Sequence, residues 1–200
     1  MKNFIDDLGI NGHLTIVKVN RDGSEEILLD DPNIIVSGMG VGLSYLFTGS
    51  GSNSVLDYQI DRFQLGVSGP PAGGVTSSIN QLSGALSSIT EYGTGSNLYI
   101  AVRDQIVGNS LVNIPAAMIS KNKITRIGNN SVRYTLVVDE EACNNLTRGG
   151  QSMNLNEIGM FMKNPTGNAA DRPILVCYRT FSNIRKTSDF SLIFRWTLNF

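Results

Sequence analysis

Two cysteines in 200 residues, Cys143 and Cys177, are too few and too far apart for a disulfide framework or a multidentate zinc site. Both are expected to be reduced, small buried hydrophobes. One histidine, His13, opens a strand-like segment with no acid or nucleophile motif around it, which leaves it a surface or rim residue and excludes any Ser-His-Asp or Cys-His arrangement built on a second imidazole. Neither charge sign is in excess: sixteen basic against seventeen acidic residues give a formal charge of −1, so no global field draws in a nucleic-acid backbone or an anionic membrane. Apolar runs such as Ile174-Leu175-Val176-Cys177-Tyr178 are far too short to span a bilayer. The first residues, Met1-Lys2-Asn3-Phe4-Ile5-Asp6-Asp7, lack the apolar stretch of a signal peptide, so a soluble protein made in a cytoplasm is expected and the sequons at Asn129 and Asn145 are chance matches. No cation loop of the Asp-x-Asp-x-Asp type and no cofactor motif is present. No nucleic acid, membrane or cofactor is expected as a partner.

What the chain does have is alternation. From Asp189 to Phe200, every second residue is large and apolar: Phe190, Leu192, Phe194, Trp196, Leu198 and Phe200 share one face, and Asp189, Ser191, Ile193, Arg195, Thr197 and Asn199 the other. This is a half-buried strand, and those six apolar residues are the expected structural core. The segments 13–19 and 24–29, joined by Asn20-Arg21-Asp22-Gly23, read as a β-hairpin closed by Asp30-Asp31-Pro32-Asn33. Residues 37–47 place Met39, Leu43, Leu46 and Phe47 at helical spacing after Ser37, predicting a short helix packed across the sheet. Its three glycines, Gly38, Gly40 and Gly42, fit close helix-on-sheet packing better than a phosphate loop, because no Gly-Lys-Ser/Thr follows.

Further strands are predicted at 58–67, 98–107, 117–127, 132–139, 153–163 and 174–181, with a turn at Gly128-Asn129-Asn130-Ser131 and a corner at 140–146. The Gly/Pro-rich residues 68–74 and the small, polar residues 75–96 form a long loop insertion, the best candidate for a segment ordered by a neighbouring subunit. The predicted fold is mainly β: an antiparallel β-sandwich, jelly-roll-like or otherwise, with one short helix and long loops. An arm at 1–12, with a helical turn at 4–8 ending in Gly9, precedes a single domain at 13–200.

Glu157 lies on the strand parity of Leu155, Gly159 and Phe161, so it points partly inward and needs a partner. Arg179 and Lys186, on or just after the neighbouring strand, are the candidates for a buried ion pair with it. A catalytic role for Glu157 would need a second titratable group at a matching position, and Asp139, Glu140 and Glu141 do not converge on it by spacing. Enzymatic activity is not expected.

Several stretches together resemble structural proteins of tailed-bacteriophage virions: Asn33-Ile34-Ile35-Val36-Ser37-Gly38, Phe63-Gln64-Leu65-Gly66-Val67-Ser68-Gly69, Leu155-Asn156-Glu157-Ile158-Gly159-Met160-Phe161, Leu175 to Lys186 and the closing Ser191 to Phe200. The resemblance implies a virion component of the tail, neck, baseplate or fibre-attachment region, a β-sandwich that self-associates as a trimer or ring and contacts other virion proteins after assembly in the host cytoplasm. A capsid decoration protein is the alternative it leaves open. A carbohydrate-binding receptor module would need exposed loop aromatics, for which only Tyr45, Tyr58 and Tyr92 offer themselves.

Overall fold

The computed structural model describes residues 9–35, 37–48, 59–66, 106–107, 110–111, 117–119, 121–145, 147–148, 151–152, 154–162 and 174–200. The expected loop insertion at 68–96, residues 1–8 and most of the strand expected at 98–107 lie outside them.

The hairpin forms as β1 (Asn11–Asn20) and β2 (Glu25–Ile35). Its turn is held by Asn20 N–H donating to Ser24 O, Gly23 N–H to Asn20 O, and an Asp22 carboxylate that accepts from both the backbone and hydroxyl of Ser24. Gly23 takes the left-handed conformation the turn demands, at φ 83°. Both strands outrun the expectation: β1 begins within the expected arm, and β2 continues through Asp30-Asp31-Pro32-Asn33 rather than closing there. Proline is tolerated because β2 up to Asn33 is the edge of its layer. At Ile34 and Ile35 the same strand pairs with β12 (Ile174–Ile184), so β2 carries the chain from one layer into the other.

The remaining elements are the helix α1 (Ser37–Thr48), β3 (Ile60–Gly66), a short ladder of β4 (Ile106–Val107) and β5 (Ser110–Leu111), β6 (Ala117–Met118), β7 (Ile124–Arg126), β8 (Ser131–Val138), a second short ladder of β9 (Thr147–Arg148) and β10 (Gln151–Ser152), β11 (Leu155–Met162) and β13 (Phe190–Asn199). Nine strands run in the order β6-β3-β11-β12-β2-β1-β13-β8-β7, every pair antiparallel. With β2 as the crossover, β7-β8-β13-β1 lie on one side of it and β12-β11-β3-β6 on the other, and the two sheets pack as a sandwich. Across the interior, Phe63 of β3 meets Trp196 of β13 and Phe181 of β12 meets Phe194, each with ring centroids 6.1 Å apart and tilted.

Phe190, Leu192, Phe194, Trp196 and Leu198 are all buried in this core, with Leu14 and Ile16 from β1 beside them. Phe200 departs from the expectation and is 49% exposed. Strand β13 ends at Asn199, and Phe200 is fastened beyond it by its own backbone: its N–H donates to the Asn130 carbonyl and its carbonyl accepts from the Asn130 side-chain amide. The strand expected at 117–127 is in fact two, β6 and β7, at opposite ends of the strand order. The exposed Lys121-Asn122-Lys123 forms a 3-10 turn between them, where no apolar side chain holds the chain to a sheet face.

Candidate functional site

Three places gather polar or reactive side chains against the core: the Glu157 strand, the Lys186 corner and a cavity at the end of α1.

On β11 the register slips between Leu155 and Glu157, a bulge that reverses strand parity. Leu155, Ile158, Met160 and Met162 belong to the core cluster, while Glu157, Gly159 and Phe161 turn to the other face of that layer, opposite Thr180, Tyr178 and Leu175. Glu157 is fully buried and accepts a 2.6 Å hydrogen bond at Oε2 from the Tyr178 hydroxyl. Burial pushes the Tyr178 phenol far above its ordinary range, and the Glu157 carboxylate adds to the effect. Of the two cations expected beside Glu157, Arg179 contacts Asp31 and Lys186 contacts Asn144. Arg179 has the opposite parity from Tyr178 and Thr180, and its Nη2 donates to Asp31 Oδ2 at 2.9 Å, tying β12 to β2 near the crossover. That pair is half-exposed on the carboxylate side, so it contributes up to about 1 kcal/mol.

Lys186 lies beyond the end of β12, is buried, and donates from Nζ to Asn144 Oδ1 at 3.0 Å and to Thr187 O at 2.7 Å. Its ammonium also sits 5.1 Å from the centre of the Phe190 ring, with Lys18 Nζ 5.3 Å from the same ring. Burial lowers the Lys186 pKa, and Cys143 and the acidic groups Asp139, Glu140 and Asp189 offset part of that. The lysine clamps the corner at 139–145. There Cys143 and Asn145 both take positive φ, 62° and 48°, and Asn145 N–H donates to Lys186 O. Cys143 and Cys177 form no disulfide and are buried, as expected, and burial raises the Cys143 thiol to about 12. His13 is a surface residue whose Nε2 lies 2.9 Å from Asp30 Oδ1, and the contact holds the Asp30 carboxyl below its usual range.

The cavity has about 270 Å³ of space and is lined by Met39, Gly42, Leu43 and Leu46 of α1, by residues of β3, β7, β8 and β11 that include Tyr134 and Met162, and by Phe200. The helix thus meets strands of both layers. Met39 and Leu43 pack into the core as the helical spacing predicts, but the last turn runs past it, leaving Leu46 41% and Phe47 82% exposed. Tyr134 supplies the cavity's phenol, and burial raises its pKa well above the ordinary range. Sequence reading predicted the strand that carries Tyr134 but missed the cavity, because only the tertiary meeting of α1 with both sheets creates it.

Compared with known proteins, the chain matches no family model, no curated protein and no solved structure. Its chemistry is accordingly read from its own residues. Among the described residues no group of three or more His, Cys, Asp or Glu side chains could hold a metal ion, and no helix is long and apolar enough to cross a membrane. What the three places offer is different in kind. The Glu157–Tyr178 and Lys186–Asn144 contacts fix strands and a corner from inside, while the end cavity alone combines apolar lining with an exposed rim. An arrangement of that kind can receive an apolar side chain or segment from outside.

Proposed function

We propose that the chain is a non-enzymatic, self-associating structural component of a tailed-phage virion, a connector or adaptor in the tail, neck, baseplate or fibre-attachment region. The virion assignment rests on the sequence stretches quoted above. The associative part is carried by one structural observation: Leu46, Phe47 and Phe200 are exposed around an apolar cavity at one end of a rigid sandwich. Large apolar side chains gathered at a solvent-facing site mark interaction surfaces, because leaving them in water forfeits about 25 cal/mol for each Å² that association would bury. Negative-stain imaging of the purified protein should show closed rings or trimers. Mass spectrometry of gradient-purified particles from the source culture should find the chain in near-stoichiometric amounts. Single globular particles, together with its absence from such virions, would overturn the reading.

A further inference from the structure

We infer that the end cavity is a socket for residues 4–8 of a second copy of this chain, so that copies are joined by exchanged N-terminal arms. The inference rests on the self-association proposed above and names its contact.

The first support is position. Strand β1 pairs with β13 from Asn11↔Asn199 onward, so the chain enters the sheet one residue short of Phe200, which lines the cavity. The described chain therefore begins, at Gly9, at the end where the cavity lies. Eight residues can span about 26 Å when extended, enough to cross to a neighbour meeting this end. The second support is pattern. Phe4, Ile5 and Leu8 stand at the i, i+1, i+4 spacing of one helical face, with Asp6 and Asp7 between them. Such a segment offers one apolar face to a socket and keeps its carboxylates in water. The third is size and chemistry. A cavity of about 270 Å³ lined by Met39, Leu43, Ile60 and Met162 exceeds the roughly 150 Å³ apolar cavity that holds a benzene ring. It can take a Phe ring together with a smaller apolar side chain. Met39 and Met162 have the unbranched, adaptable side chains that close around an inserted group. The fourth is the extent of the patch. Phe47 stands outside the cavity proper and Leu46 at its exposed rim, and a neighbouring molecule brought up by the arm would cover them as well. Two such copies can engage reciprocally about a two-fold axis, or head to tail around a ring.

The native cysteines are buried, which leaves new surface thiols as the reactive ones. Equal amounts of the single variants Asp7→Cys and Leu46→Cys are mixed and treated with a short bis-maleimide, and the double variant is treated alone. The expected result is a covalent dimer in the mixture that joins the peptide containing position 7 to the peptide containing position 46. Phe4→Ser in the Asp7→Cys background should lower the yield of the same link to Leu46→Cys at least tenfold while circular dichroism stays unchanged. A link confined to single chains of the double variant would overturn the exchange and assign the socket to the chain's own arm. No link in either sample would overturn the docking itself. If links are missing while light scattering still gives a multimer, the socket fails and self-association stands; if the protein is also a monomer, both fail.

Discussion

Trp196 is fully buried with its ring 6.1 Å from that of Phe63, where the two layers meet. Truncating it to Ala removes an indole from a site that rigid strands on both sides cannot collapse to fill. The expected cost is about 3–5 kcal/mol, read as a lower urea midpoint with the slope unchanged. A loss below about 1 kcal/mol would mean that the layers do not pack through this residue. At this scale the sequence was informative wherever the strand repeat of two held: Phe190 through Leu198 alternate buried and half-buried as the pattern predicts. It misled where a bulge intervened. Leu155 and Glu157 share sequence parity yet face opposite sides, and the Tyr178 hydroxyl that reaches Glu157 is a contact no spacing rule could reveal without the register. Phe200 continues the alternation but has no strand beyond Asn199 to bury it.

Two glycines separate close packing from loose packing at the level of elements. A Cβ on Gly12 of β1 would fall within the whole carboxamide of Asn33 on β2. That side chain is anchored by a contact with the buried Cys177 thiol, so it cannot simply swing aside. Gly12→Ala should destabilise by about 1–3 kcal/mol. A Cβ on Gly42 of α1 would meet only the Sδ and Cε atoms of Met162. This is the free end of a flexible side chain beside an open cavity, into which it can move. Gly42→Ala should therefore be neutral or stabilising by up to about 1 kcal/mol, through helix propensity. Chemical denaturation of both variants checks the contrast, and equal losses would contradict it. Hairpin, helix and most strand positions were readable because turn chemistry and periodicity are local. The splitting of 117–127 between the two ends of the strand order was not, because it depends on which distant strand, β3 or β8, offers a free edge.

Buried acids and phenols give the whole molecule a pH dependence of definite sign. Burial raises the pKa values of Cys143, Cys177, Tyr134 and Tyr178, whereas in the unfolded chain they return to the ordinary 9.0 and 10.0. Above about pH 9 the unfolded chain sheds protons that the folded chain keeps, so stability falls as pH rises, by up to about 1.4 kcal/mol per pH unit for each such group. Lys186, lowered by burial, acts in the opposite direction below its ordinary 10.5, one group against four. The melting temperature should be level between pH 7 and 8.5 and decline from pH 9 to 10.5; a flat profile would show that these groups titrate as if in water. The central claim concerns association, and it is tested most directly by multi-angle light scattering on the full chain beside Phe47→Asp, a change at a side chain 82% exposed that leaves the core untouched. A multimer for the natural chain and a lower mass for the folded variant are expected. A monomer for both across a hundredfold concentration range, or a multimer that the aspartate does not weaken, would contradict the account.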